Sequence, residues 1–341
     1  MVEAADITDA DFTLIGEIRE EPFIEVCGES IPLTDAQQAY TQPLEKVFPT
    51  KTADSGRVDT PVYKKKNIVV SRYKTAIPRV VIPVFPGTNC EYDTAAAFEK
   101  AGAVPSVVIM RNLSPQDIEE SLSQLASEIA NAQMIMLPGG FSGGDEPDGS
   151  GKFIATTFRN PRIKNATMEL LKNRDGLMLG ICNGFQALIK LGLVPYGEIV
   201  DMKDDSPTLT YNNIGRHVSC MVRTRITSAN SPWLALAEPG DIHTVAVSHG
   251  EGRFVATEKE IRQLFKNGQV ATQYVDLDGE PTMDVEYNPN GSMYAVEGIM
   301  SPDGRVLGKM GHTERAGKYN AKNVPGEYDQ RIFESGVKYF R

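Results

Sequence analysis

GLMLGICNGFQALIKL, residues 176–191, is the stretch from which the rest of the chain can be read. Leu177–Ile181 reads as a short buried strand, and a helix follows from Asn183. Between them, Gly180-Ile181-Cys182-Asn183-Gly184 has the form G-x-C-x-G, a nucleophile elbow with sulfur in place of oxygen. Such a turn holds the nucleophile in a cramped backbone conformation and closes only if its neighbours are small. It also sets the thiol at a helix N-terminus, where partial positive charge favours the reactive thiolate. The competing reading is a buried core cysteine, because free cysteine is among the most buried residue types. The two glycines in a strand-to-helix setting favour the nucleophile.

Upstream of the elbow the pattern alternates between strand and helix. Residues 80–85 form an apolar, β-branched strand, and a helix over 90–101 ends at Gly102. A second strand covers 105–110. Ser114 and Pro115 open the next helix with an N-cap and a proline at its first position, and it runs to about residue 130. Met134–Leu137 is a third buried strand with a glycine-rich loop behind it, and Asn160-Pro161 opens another helix. Continuous apolar strands separated by helices imply an α/β protein with a mostly parallel, doubly wound sheet covered on both faces. Sites in such sheets lie at the carboxyl ends of the strands, where Cys182 falls.

Downstream of Gly197 the texture changes to strands, at 216–226, 242–247, 252–256 and 273–275. Pro302-Asp303-Gly304 joins 294–300 to 305–310 as a hairpin. A helix near 328–339 closes the chain. Residues 1–50 read as a small α+β appendage. It has strands at 12–18 and 23–26, then helical spacing over 33–47 with Thr34 and Gln37 as a capping-box pair, interrupted by Pro43. That is too little chain for a core of its own. Residues 51–78, polar and carrying three consecutive lysines, read as a linker with a brief edge strand at 68–70. Residues 79–341 are then the main domain.

The chain has 341 residues and a net charge of −10, with 41% hydrophobic residues. A sizeable core is affordable by composition, and the absence of a basic block argues against nucleic acid as a partner. Cys27, Cys90, Cys182 and Cys220 are widely spaced with no C-x-x-C pair, which gives no pattern for a metal site or a disulfide framework and suggests a reducing compartment. No apolar run approaches about 18 residues, so no membrane span is expected. The acidic N-terminus lacks the features of a signal peptide. The expected location is the cytoplasm.

A cysteine nucleophile attacking a carbonyl needs a base, a group to orient that base, and an oxyanion hole. His312 ends the last expected strand in Gly311-His312-Thr313-Glu314-Arg315. In extended backbone, positions i and i+2 point the same way, so the Glu314 carboxylate can hold the His312 ring. Backbone N–H groups for the oxyanion are offered by Asn183 and by the loop Leu137-Pro138-Gly139-Gly140-Phe141, where glycine allows close approach. Cys90 also follows a strand and opens a helix, but it lacks the G-x-C-x-G surround and reads as structural or pocket-lining. Ser248-His249-Gly250-Glu251-Gly252 is a polar segment behind a strand, suited to an anion or an interface, and equally to a plain turn. His217 and His243 read as packing residues within strands.

Five segments together resemble the class I, triad-type glutamine amidotransferases, and within them the glutaminase domain of phosphoribosylformylglycinamidine synthases. They are FPGTNCEYD (85–93), LPGGFSGGDEPDGSGKF (137–153), GICNGFQ (180–186), SHGEGRF (248–254) and GHTER (311–315). The resemblance spans residues 79–315 and implies a flavodoxin-like sheet. It implies that Cys182 forms a glutamyl thioester and releases ammonia, with His312 as base and Glu314 as orienting group. The backbone of Gly139 or Gly140 and of Asn183 would hold the oxyanion, Phe141 would line the same loop, and Gln186 would shape the glutamine pocket. His249, Glu251 and Arg253 would be interface or substrate residues. Ammonia would pass to a synthetase module, which binds ATP and Mg and acts with it as a ligase in purine biosynthesis. The chain itself would need no cofactor and no metal, and would meet neither nucleic acid nor membrane.

Two departures stand out. Thr313 occupies the place of the usual proline between histidine and glutamate, which leaves the i to i+2 relation intact. No phosphate-binding synthetase module is visible, and residues 1–50 resemble the tail of one, as in a C-terminal fragment of the long single-chain form. Three other readings stay open: an amidotransferase subunit for another acceptor, a catalytically silent interaction domain of this fold, and a cysteine hydrolase of the related peptidase-like group.

Overall fold

The computed structural model describes Thr13 and residues 15–144, 151–317 and 320–341. Contacts divide the chain into two compact units, residues 1–50 and 51–341. In the first, β1 (Phe23–Val26) and β2 (Glu29–Pro32) pair antiparallel across Cys27 and Gly28, both with positive φ, as a tight hairpin requires. Helix α1 (Leu33–Thr41) follows. Pro32 is its N-cap, so Thr34 lies inside the helix and bonds Asp35 rather than forming the expected capping box. The helix stops two residues before Pro43. The described part of the expected strand at 12–18 is irregular.

The second unit is built on a nine-stranded sheet. Its parallel part consists of β3 (Arg79–Val84), β4 (Val104–Ile109), β5 (Met134–Leu137), β6 (Leu177–Ile181) and, late in the chain, β13 (Val306–Lys309). The order is β4-β3-β5-β6-β13, every pair parallel. The crossovers carry α2 (Glu91–Ala101), α3 (Pro115–Asn131), α4 (Lys152–Arg159) and α5 (Pro161–Asn173). Ser114 and Asn160 cap α3 and α5 by accepting from Asp117 N and Arg162 N, and Gly102 ends α2 with a left-handed backbone. Helix α4 has no counterpart in the sequence reading, since its opening lies in the polar Gly-rich stretch.

Beyond β6 come α6 (Asn183–Leu191), the single turn α7 (Leu193–Tyr196), β7 (Thr208–Tyr211), β8 (Val218–Ile226), β9 (Ile242–His249) and β10 (Glu251–Val255). Then follow α8 (Glu258–Asn267), β11 (Val270–Val275), β12 (Val296–Met300) and, after β13, α9 (Ile332–Phe340). The sheet continues antiparallel from β13 through β12, β11 and β8 to β9, while β7 and β10 pair separately. The antiparallel half curls until Ala246 of β9 bridges His312, with His312 N–H donating to Ala246 O at 2.8 Å. Val222, Val245, Val247, Tyr274 and Ala295 form its own buried cluster.

Residues 51–78 carry no regular element beyond single-residue bridges at Arg57 and Tyr63. They are nevertheless pinned to the body. Asp175, nearly buried at the start of β6, accepts from Arg72 N at 2.9 Å, Arg72 Nε at 2.8 Å and Arg305 Nη2 at 3.0 Å. The expected edge strand at 68–70 does not form.

Candidate active site

Strand β6 is buried along its whole length and delivers Cys182 at its carboxyl end. Cys182 has φ 52° and ψ −107°, a conformation side chains rarely adopt, and it is the N-cap of α6. The turn is held from both sides: Cys182 N–H donates to Lys309 O at 2.8 Å, and Gln186 N–H donates to Cys182 O at 3.0 Å. The glycines are sterically required. A Cβ at Gly184 would lie 2.0 Å from Leu137 O, and one at Gly180 would lie 2.7 Å from Gly184 O.

His312 follows β13, the strand beside β6. Its Nδ1 is 2.6 Å from Glu314 Oε1, and both side chains are almost fully buried. Residues Thr313 to Arg315 form one 3-10 turn rather than extended backbone, and the His–Glu contact is made within that turn. Burial presses the imidazole toward its neutral form. The Glu314 charge and hydrogen bonds with Cys182, Cys90 and Glu314 outweigh it and hold the His312 pKa well above its ordinary value. Burial likewise pushes Glu314 up, and the His312 charge and hydrogen bond bring it below the ordinary carboxylate value.

Gly139 is the point around which these groups gather. A Cβ there would lie 2.7 Å from His312 Cε1, 3.1 Å from Cys90 Sγ and 3.5 Å from Cys182 Cβ. Gly140 has φ 139°, and a Cβ on it would meet Asn89 N at 2.7 Å. The loop after β3 and the loop after β5 are thus zipped together at the switch point of the parallel order, the usual ligand crevice of such sheets. Phe141 N–H donates to Gly87 O at 2.8 Å, which narrows the free-backbone candidates in this loop to the two glycines. The Phe141 ring is 42% exposed and lies 6.2 Å from the His217 ring. Residues 145–150 of the Gly-rich segment lie outside the described residues.

Asn183 and Gln186 act on the pocket through side chains. Asn183 Oδ1 accepts from Ser142 N at 3.2 Å, Asn183 Nδ2 donates to Gln186 Oε1 at 2.9 Å, and Gln186 Nε2 donates to Glu251 O. This buried chain ties the loop after β5 to α6 and to β10. The curl of the antiparallel half brings Ser248 O to 3.8 Å from Cys182 Sγ. Arg253 bonds Asn213 Oδ1, and Glu251 is buried. His249 is buried as well. Asn212 Nδ2 donates to Arg216 O and His249 O, so Asn212 Oδ1 is the acceptor and His249 Nδ1, 3.3 Å away, carries the proton. Its Nε2 lone pair is buried, with no hydrogen-bond partner among the described residues. Burial, with the neighbouring charges of His217 and His312, lowers the His249 pKa to about 3, so the ring is neutral. His217 is exposed and precedes β8, bonding Ser248 Oγ at 2.9 Å, whereas His243 is buried in β9.

Two features escape sequence reading. Lys309 and Glu297 form a buried ion pair at 3.2 Å. Lys309 Nζ donates to Gly311 O at 2.7 Å, and Gly311 N–H donates to Glu297 Oε1 at 2.5 Å. The residue before His312 is therefore clamped at both its backbone groups. A lysine ending the apolar run Val306–Lys309 was the available signal. The second is the place of Cys90: its Sγ is 3.9 Å from His312 Nδ1 and 3.2 Å from Arg315 Nη2.

Residues 77–340 match the model of the CobB/CobQ-like glutamine amidotransferase domain. The phosphoribosylformylglycinamidine synthase subunit PurQ of Methanococcus maripaludis (strain C7) is 33% identical over 291 residues, which is 77% of this chain and 98% of that protein. The subunit of the same name from Aquifex aeolicus is 31% identical over 253 residues, 74% of this chain and 95% of that one. Among solved structures, PurLQS from Thermotoga maritima matches with a TM-score of 0.56 at 27% identity, over 78% of this chain and 100% of the matched chain.

Proposed function

Because the chain belongs to the CobB/CobQ-like glutamine amidotransferase family, we propose that it is the glutaminase of a phosphoribosylformylglycinamidine synthase. The observation that carries this reading is the meeting of the strained Cys182 elbow with the buried His312–Glu314 pair around Gly139. Cys182 Sγ attacks the carboxamide carbon of glutamine. The oxyanion is held by backbone N–H groups of Asn183 and Gly139 or Gly140. With Nδ1 held by Glu314, Nε2 of His312 is the nitrogen left to hand a proton to the departing ammonia. The thioester is then hydrolysed by water with His312 as base. Gln186 and the Ser248–Arg253 segment shape the pocket wall.

The names of the relatives support a synthetase partner; in this reading that partner takes the ammonia and uses ATP and Mg to make formylglycinamidine ribonucleotide from its amide. No helix among the described residues is long and apolar enough to cross a membrane, and a cytoplasmic setting without nucleic acid fits the net charge of −10. The chain by itself should turn over glutamine weakly.

A glutamine-analogue electrophile tests the assignment. It should alkylate Cys182, read by peptide mass. Cys182→Ala should lose glutamine-dependent ammonia release by about 10⁴-fold or more, while the assembled enzyme still makes product from added ammonium. Labelling that persists in Cys182→Ala and vanishes in Cys90→Ala would transfer the role to the other thiol.

A further inference from the structure

We propose that Cys90, His312 and Glu314 form a binding site for a thiophilic divalent cation such as Zn²⁺, and that filling this site switches the glutaminase off. Cys90 Sγ, a His312 ring nitrogen and a Glu314 carboxylate oxygen lie within 4.8 Å of one another, all on buried residues. The separations are 3.9 Å from Cys90 Sγ to His312 Nδ1 and 2.6 Å from His312 Nδ1 to Glu314 Oε1. Tetrahedral zinc, with bonds of about 2.3 Å to sulfur and about 2.0 Å to nitrogen or oxygen, places its ligands about 3.3–3.6 Å apart. The two separations from His312 Nδ1 change by less than about 1 Å to reach that geometry, and the sulfur-to-carboxylate separation closes by at most about 1.3 Å.

Charge and vacancy point the same way. A thiolate, a carboxylate and a neutral imidazole sum to minus two, which a divalent cation neutralises. The second Glu314 oxygen, Oε2, is buried and has no hydrogen-bond partner among the described residues, which leaves it free to turn toward a cation. Arg315, now 3.2 Å from the Cys90 sulfur, must give way. Its side chain is 39% exposed and already tethered outward to Asp93. A cavity of about 470 Å³, lined by Asp93, Arg315 and Tyr328 among others, opens onto His312. On binding, the Cys90 and His312 protons leave to solvent and the cation takes Nδ1 from Glu314. The imidazole then loses the hydrogen bond that orients it, and with it the proton traffic that glutamine cleavage needs. The site rests on geometry alone; only the switching effect rests on the glutaminase reading.

Two readouts separate the parts. Co²⁺ added to the Cys182→Ala chain should give a sulfur-to-cobalt charge-transfer band that Zn²⁺ displaces and that Cys90→Ala in the same background removes. In the unsubstituted chain, Zn²⁺ should protect Cys90 from alkylation, which needs no substitution at that position. Zinc should also stop ammonia release from glutamine, reversed by a chelator, and Cys90→Ala should raise the zinc required by at least about 100-fold. A cobalt band that survives Cys90→Ala, a band missing from Cys182→Ala, or unchanged alkylation of Cys90 would each overturn the site. Cobalt binding with undiminished ammonia release would overturn the switch. A chain with no glutaminase activity in any assembly would overturn the functional reading, and the cobalt spectrum would still decide the site.

Discussion

A methyl group at Gly184 would sit 2.0 Å from the carbonyl oxygen of Leu137, a backbone atom that cannot swing aside. Gly184→Ala should therefore cost about 2–3 kcal/mol in a urea titration and slow alkylation of Cys182 by a glutamine analogue, because β5 and α6 must part. G-x-C-x-G announced this steric demand before any coordinates. The His312–Glu314 pair belongs to the same scale. His312 has a folded pKa above 6.5, so its contribution is full below 6.5 and is lost as pH rises through the folded value. Glu314 has a folded pKa below 4.5, so its contribution is present above 4.5 and is lost as pH falls through the folded value. The difference in urea midpoint between wild type and His312→Ala should then be widest between about pH 4.5 and 6.5 and narrow on the alkaline side. A difference that widened with rising pH would contradict the assignment.

At the scale of elements, β12 and β13 do more than extend the sheet. Their Glu297 and Lys309 hold Gly311 by its N–H and its C=O, and so fix where the chain leaves the sheet toward His312. Removing one charge leaves the other buried and unpaired. Glu297→Ala should cost about 3–5 kcal/mol, and adding Lys309→Met should recover most of it, both read by chemical denaturation. The double variant should still label slowly at Cys182, since the clamp on Gly311 is gone. The hairpin itself was legible, as Pro302-Asp303-Gly304 between apolar runs says turn. Helix α8 was not, although Thr257 and Glu260 form a full capping box at its start. Its buried stripe is short, Ile261, Leu264 and Phe265 at i, i+3 and i+4, and the other seven of its ten residues are polar.

At the scale of the whole molecule, one carboxylate joins distant parts of the chain. Asp175 binds Arg72, from the irregular 51–78 stretch, and Arg305, at the entry to β13. The hydrogen bond from Arg72 is the main reason its pKa lies below the ordinary value, so this contribution is present above about pH 3.8 and fades as pH falls through the folded value. Asp175→Ala should lower stability by about 1–3 kcal/mol at neutral pH and expose residues 64–74 to limited proteolysis. Wild type should begin to show the same cleavage only in acid.

Local order was fixed by the chain itself. Buried strands Met134–Leu137 and Leu177–Ile181, the caps at Ser114 and Asn160, and the elbow at Cys182 are set by side-chain period, N-cap chemistry and glycine sterics, all of which act within a few residues. The relation between Cys182 and residues 248–253, and the place of Cys90 against His312 and Arg315, were decided by tertiary structure alone. They depend on how far an antiparallel sheet curls before β9 meets the segment beyond β13, and on loops after β3 and β5 zipping at Gly139 and Gly140. Curl and loop contact are sums over many distant contacts, and no short stretch of residues carries them.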